Sequence, residues 1–399
     1  MTEPDCRDLE AAASRLTDSL RFTDIPRTSR LFNDFLYDYP KVARFYTDCG
    51  RSVAPLAEHA RKVGAQQFDR QRVPEALERI NRAAGSSELT FKHIEMLRHP
   101  GSVAIVTGQQ AGLFTGPLYT IHKALTVIKL AACLRDQGVE AVPVFWIASE
   151  DHDYEEVNHT KLLDREGQLK TVRYEASDLP KDAPVGRVVL CEGIAQTIDE
   201  FIALLPPSEF TPDIERNLRE SYAAGTGFAQ AFAKLMARLF KDYGVVLFDP
   251  LDEELKQVAA PLYSQALEKT EEIARALVAR SGELEAAGYH AQVKVSEDMV
   301  PLFIIDDGRR VAMTRENGRF HVKGSDRSFA HEELVALASK CPAASARTLL
   351  CGLLCRTTCC LPPPTSAGLP RSRTSRSYAR SMRRWEDKSP ACFRARASP

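Results

Sequence analysis

Two short segments hold most of the residues that could do chemistry. In FWIASEDHDYEEVNH (145–159), Glu150, Asp151, His152, Asp153 and Glu155 place five titratable groups within six positions. Such crowding shifts proton affinities, and it can supply a general acid or base or oxygen ligands for magnesium. A solvated acidic loop would use the same residue types. This one directly follows the apolar run VPVFWIA, which favours a functional role, and Asn158 follows it as a supporting polar group.

The second segment is VTGQQAGLFTGPLYTIHKAL (106–125). Gly108, Gly112 and Gly116 allow close backbone approach, and Gln109 and Gln110 offer amide donors and acceptors. A glycine-rich turn between a strand and a helix can present N–H groups and a helix N-terminus to an anion. One turn into that helix, His122 and Lys123 could meet a phosphate or a carboxylate. The pattern is neither a P-loop nor GxGxxG. Packing of Tyr119 and His122 beside a solvated Lys123 is the competing reading.

Elsewhere, AGYHAQVKVSEDMVPLFI (287–304) puts His290 and Gln292 between a helix and a strand, where a single histidine is more often structural. Asp249-Pro250 closes a third strand as a cap or a ligand contact. Cys133 lies in an apolar helix and reads as core.

Parallel strands must position these residues. Ser102–Thr107 (SVAIVT), Val142–Ile147 (VPVFWI) and Tyr243–Phe248 (YGVVLF) are short, apolar and rich in β-branched or aromatic residues, as buried parallel strands are. Strand, glycine loop, helix over Pro117–Arg135 and strand make a βαβ crossover. Ligands of open α/β sheets bind at the carboxyl ends of the strands, where both polar segments should lie. Residues 1–100 read as a helical segment packing on this core. Further strands are expected within KLLDREGQLKTVRYEA and near Val300–Ile305, Val311–Thr314 and Phe320–Val322. Helices are expected near Ile194–Leu205, Phe228–Lys241, Glu253–Leu284 and His331–Ala338.

Composition changes abruptly after Lys340. The last 59 residues hold 11 Lys and Arg against 2 Asp and Glu, and 6 of the 10 cysteines. They carry a net +9, which leaves −10 on the first 340. Four scattered cysteines in that first part suggest reduced thiols. No apolar run is long enough to span a membrane and no apolar leader opens the chain, so a cytoplasmic location is expected. Cys351, Cys355, Cys359 and Cys360 fit no paired CxxC spacing and no histidine follows, which argues against zinc. The leucine- and cysteine-rich stretch argues against a nucleic-acid-binding tail. Beside these two readings stands a third, a change of frame, which the composition favours and which gives an irregular tail over 341–399 without a packed core.

VTGQQAGLFTGPLYTIHKALTVIKLA and VPVFWIASEDHDYEEVNH closely resemble the two signature segments of the cysteine-adding ligase family of bacillithiol biosynthesis. RLFNDFLYDYP, YGVVLFDPLDEELKQVAAPLY and AGYHAQVKVSEDMVPLFI match in order and at similar spacing, so the resemblance covers residues 20–340. It implies a Rossmann-like α/β core over 101–340 with inserted connecting segments, a C-terminal coiled coil and a homodimer. It also implies that L-cysteine is joined through its carboxyl group to the amino group of glucosaminyl malate. Partners would then be small molecules, with neither nucleic acid nor membrane.

Family members continue in frame beyond residue 340 with sequence of the type RFSPN…RPVVQDYLLPTAAYVGGPAE. Read one nucleotide earlier with synonymous codons freely chosen, Ala344 onward can encode RFSPNAAVRPVVQDYLLPTAAYVGGPAE. The frame is therefore expected to slip near Lys340–Ala344, removing the coiled coil, the second half of the site and activity.

Amide formation from a free carboxylate is uphill in water, so the cofactor is left open with ATP and magnesium as the candidate. Asp151, His152, Asp153 and Glu150 are the expected catalytic groups. Gly108, Gln109, Gln110, Gly112, His122, Lys123, Asn158 and His290 are the expected substrate or nucleotide contacts. No residue is assigned as a ligand of a resident metal. A nucleotide-sugar or phosphosugar-handling transferase and a non-catalytic substrate-binding subunit are the rival readings.

Overall fold

A computed structural model describes residues 20–46, 52–176, 182–291, 295–339 and 348–350. Four helices precede the first strand: α1 (Arg30–Tyr37), α2 (Val53–Gly64), α3 (Arg72–Ala84) and α4 (Glu88–Met96). Each is amphipathic and turns its apolar stripe inward. Ser29 caps α1 by accepting from the Phe32 amide at 3.3 Å, and Gly85, at φ 73°, ends α3.

Strand β1 (Val103–Gln109), helix α5 (Tyr119–Asp136) and strand β2 (Ala141–Ile147) form the expected crossover. The strands pair in parallel from Val103 opposite Ala141 to Gln109 opposite Ile147. A short helix, α6 (Tyr154–Val157), leads into the antiparallel hairpin β3 (His159–Leu163) and β4 (Leu169–Arg173). Helices α7 (Gly193–Leu204), α8 (Thr211–Ser221) and α9 (Phe228–Leu239) follow. Strand β5 (Val246–Phe248) then joins β2 in parallel, giving the order β1-β2-β5.

The long helical stretch after β5 divides into α10 (Glu253–Glu268) and α11 (Thr270–Ala286) at Lys269. A second sheet contains β6 (Met299–Asp306), β7 (Arg309–Glu316), β8 (Arg319–Val322) and β9 (Ser328–Phe329), with helix α12 (His331–Ser339) after it. Strand β10 (Thr348–Leu350) pairs antiparallel with β6, so three residues of the stretch expected to be irregular lie in a ladder. The rest of 340–399 lies outside the described residues.

The parallel sheet is buried on both faces, and side-chain alternation sorts its strands. Val106, Val144, Trp146, Val246 and Phe248 face α3, α10, α11 and the second sheet, whereas Phe145, Ile147 and Leu247 face α9 and its neighbours. Trp146 and Phe248 stack at 4.3 Å between centroids. Emptying such a buried aromatic position costs about 3–5 kcal/mol.

The free edge of β5 is closed by a side chain. The Asn81 amide donates to the Leu247 carbonyl at 2.9 Å, and its oxygen accepts the Leu247 N–H at 3.0 Å. Asn81 thus stands in for a neighbouring strand, which explains a polar residue at 0% exposure. Cys133 is buried in the core at 3% exposure, as its apolar helix implies.

Candidate active site at the strand ends

Strand β1 runs through Gln109, so Gly108 and Gln109 are strand residues and the turn begins at Gln110. The Gln109 amide donates to the Tyr119 hydroxyl at 3.1 Å, and its oxygen accepts from Lys123 Nζ at 2.8 Å. Lys123 also donates to the Gly108 carbonyl at 3.4 Å, with its ammonium 5.0 Å from the Tyr119 ring centroid. These contacts tie the first turns of α5 to the end of β1 and hold one cation at the strand end. His122 is exposed on the same helix.

The glycines of the turn serve the turn. A Cβ on Gly112 would stand 2.7 Å from the Gly116 Cα, and Gly116 is at φ 67°. Phe114 and Thr115 between them also take positive φ. Three of the amides are used locally: Gly112 N–H donates to Gln110, Gly116 N–H to Leu113, and Phe114 N–H to the Tyr222 hydroxyl at 3.1 Å. Helix α5 begins only at Tyr119, beyond a 3-10 turn over Leu113–Thr115. The expected cradle of amides at a helix N-terminus is therefore largely committed, and the glutamine side chains carry the polarity of this edge.

Gln110 joins the two sequence segments. Its amide donates to Asp151 Oδ2 at 2.9 Å and to Glu156 Oε2 at 3.0 Å. Asp151 Oδ1 accepts the His152 backbone N–H at 2.8 Å. Burial alone would raise the Asp151 carboxyl. The Arg310 guanidinium, the Gln110 amide and the His152 backbone N–H oppose it, and the group is held at about 2. A carboxylate that acidic is a weak general base near neutrality, so its geometry is that of an orienting group.

Arg310 comes from β7, in the second sheet. Its Nη1 lies 3.2 Å from His152 Nδ1 and 3.9 Å from Asp151 Oδ1. Its guanidinium carbon lies 3.8 Å from the Phe303 ring centroid, and its backbone N–H donates to the Asp182 carbonyl at 2.8 Å. The loop is held below by Val185 N–H to Asp151 O at 2.7 Å and Gly186 N–H to Ser149 O at 2.8 Å. Ser149 donates to Asp249, which also accepts the Leu251 N–H at 2.9 Å. Asp249 thus caps its own turn, and the protein packed around its carboxyl raises it.

Together these residues bring an ionised carboxylate, an imidazole, a guanidinium and an ammonium to the ends of β1 and β2. Such a set can hold an anionic substrate and stabilise negative charge developing on a carbonyl oxygen. Among the described residues no three His, Cys, Asp or Glu side chains converge as a metal site would require. Asp151 is already occupied by Gln110 and a backbone amide, so as placed it does not fit as a magnesium ligand.

The sequence matches the family described as "Bacillithiol biosynthesis BshC, N-terminal Rossmann-like domain" over residues 19–347. The chain belongs to the BshC family. A relative in Koribacter versatilis named "Putative cysteine ligase BshC" is 42% identical over 321 residues, covering 80% of this chain and 59% of that protein. Relatives of the same name in Salinibacter ruber and Solibacter usitatus are 36% and 35% identical, covering 78% and 83% of this chain and 57% and 61% of theirs. The chain therefore spans about three-fifths of the length of these relatives.

Of the residues expected at the site of this BshC-family chain, the fold assembles Gln109, Gln110, Lys123, Asp151 and His152, with Gly108 in the strand beneath. Asp153 is exposed and caps α6 through the Glu156 N–H at 3.3 Å. Glu150 is 7% exposed between β2 and α6. Asn158 is fully buried, accepting from Arg173 at 2.9 Å at the base of the β3–β4 hairpin, while its side-chain nitrogen has no hydrogen-bond partner among the described residues.

His290 is exposed beside Tyr289, which packs with Val42 and Phe45 of the N-terminal segment; its neighbour contacts lead away from the strand ends. Gln292 lies outside the described residues. Arg310 escaped the sequence reading, since an arginine in a strand pattern of a separate sheet carries no motif. No helix among the described residues is long and apolar enough to cross a membrane.

Proposed function

We propose that the full-length protein is a ligase of bacillithiol biosynthesis that joins the carboxyl group of L-cysteine to the amino group of glucosaminyl malate. The observation that carries this reading is the Gln110–Asp151–His152–Arg310 cluster at the carboxyl ends of β1 and β2, in a chain of the BshC family. Lys123 supplies positive charge for carboxylate or phosphate groups, and the imidazole held beside Arg310 offers a donor for the oxygen of the reacting acyl group. Because the amide is uphill from a free carboxylate, an activated acyl group is required, and ATP is the proposed source.

The same reading holds that the frame changes near Lys340–Ala344, and that the chain as written lacks turnover. Support comes from the abrupt change of composition after Lys340 and from the family-like sequence encoded one nucleotide earlier. The test restores the frame by one nucleotide. The restored and the 399-residue proteins are then incubated with L-cysteine, glucosaminyl malate and ATP, and thiol-labelled product is measured by mass spectrometry. Product from the restored protein alone is expected. Product from neither, with the restored protein folded, sinks the ligase reading, and product from the 399-residue chain sinks the claim of inactivity. Resequencing the codons for residues 335–350 checks the frame itself.

A further inference from the structure

We propose that Arg310 is a positioning residue that fixes the tautomer of His152, so that the imidazole meets its substrate with the proton on Nε2. The catalytic consequence rests on the ligase reading; the tautomer does not.

The argument begins with what each group can do. A guanidinium has five N–H donors and no acceptor. At 3.2 Å, Arg310 Nη1 and His152 Nδ1 are within hydrogen-bonding distance, and arginine can only donate. Nδ1 must therefore offer its lone pair. The competing arrangement has Nδ1–H donating to Asp151 Oδ1, but that separation is 3.5 Å. It is longer than an ordinary bond of this kind, and Oδ1 already accepts the His152 N–H at 2.8 Å. The neutral imidazole then carries its proton on Nε2.

Arg310 is placed firmly enough to impose this choice. Its side chain is 14% exposed, its guanidinium lies over Phe303, and its main chain is bonded to Asp182. Among the described residues its buried Nε has no hydrogen-bond partner. The His152 ring is 38% exposed, and among the described residues Nε2 has no partner. In this state His152 is a hydrogen-bond donor toward a substrate oxygen. It does not start the reaction as the base that takes a proton from the incoming amine.

The test is two-bond 1H–15N correlation spectroscopy of the histidine-15N-labelled 399-residue protein at neutral pH, with His152→Gln to assign the ring. Wild-type protein should show an unprotonated Nδ1 and a protonated Nε2. Arg310→Met should move the ring toward the other tautomer or the imidazolium, and Arg310→Lys, which keeps a donor, should return part of the wild-type pattern. A protonated Nδ1 in wild type overturns the inference whether or not the variants fold. So does an unchanged spectrum in a folded Arg310→Met protein.

In the frame-restored enzyme Arg310→Met should lower kcat by up to about 100-fold while KM for cysteine changes little. The expected spectra without any wild-type turnover would leave the tautomer assignment standing and remove only the ligase reading.

Discussion

The side-chain amide of Gln110 lies 2.9 Å from Asp151 and 3.0 Å from Glu156, so one neutral group bridges two carboxylates and binds the glycine turn to the acidic loop. Both acceptors are carboxylate oxygens, which fixes the amide with its nitrogen toward them. Gln110→Glu would set three carboxylates against one another with no donor between them. We expect a loss of about 1–3 kcal/mol in folding stability, read from urea midpoints at pH 7. Gln110→Leu should lose less, because it adds no charge. Equal stability of wild type and Gln110→Glu would mean that the bridge contributes nothing.

Asp151 predicts an acid dependence of known sign. Its carboxyl is held at about 2 against an ordinary 3.8, so the folded state favours the ionised form. The stabilisation is fully present above about pH 4 and is lost as pH falls through about 2. A shift of that size corresponds to at most about 2 kcal/mol. The stability difference between wild type and Asp151→Asn should therefore shrink between pH 5 and pH 2.5. A gap that stays constant, or widens, over that range contradicts the assignment.

Much of this was legible in the sequence, and the reasons are local. Val142–Ile147 is a continuous apolar run, which only a strand covered on both faces needs, and it is buried throughout in β2. The βαβ order then placed Gln110 and Asp151 at one edge without knowledge of their contact. Boundaries were less legible: β1 continues through Gly108-Gln109 because strand pairing with Trp146 and Ile147 outweighs the weak strand preference of glycine.

The helix over residues 253–284 breaks at Lys269 because Thr270 turns its hydroxyl back to Ala266 and Leu267, at 2.9 Å each, where α10 ends. Asn81 and Arg310 were invisible for another reason. Each acts on residues more than 150 positions away, and no local pattern encodes such a pairing.

The glycine turn predicts a folding cost. At Gly112 a methyl group would press on backbone at 2.7 Å, and no flexible side chain is there to yield. Gly112→Ala should cost about 1–3 kcal/mol. Tyr222→Phe removes the hydroxyl that accepts from Phe114 N–H and is buried with it, and should cost about 1–2 kcal/mol by orphaning that amide. Thermal melts of both variants decide the matter. If Gly112→Ala melts with wild type, the close approach of Gly112 and Gly116 is not tight.

His152 and Asp151 carry the last prediction, which separates a catalytic loop from a solvated one. His152 presents a ring beside Arg310, and Asp151 orients its backbone and accepts from Gln110, so the two should fail differently. In the frame-restored enzyme His152→Ala should cut turnover at least about 100-fold with a melting temperature near wild type, because the ring is partly exposed and supports little packing. Asp151→Asn keeps the shape but replaces an acceptor-only carboxylate by an amide. It should therefore lose both turnover, by about 100-fold, and some stability. Single-turnover measurements with saturating cysteine and glucosaminyl malate would read the chemical step directly. Near-wild-type rates in both variants would return Glu150–Glu155 to a solvated acidic loop, and the search for the reacting groups would move to Lys123 and Arg310.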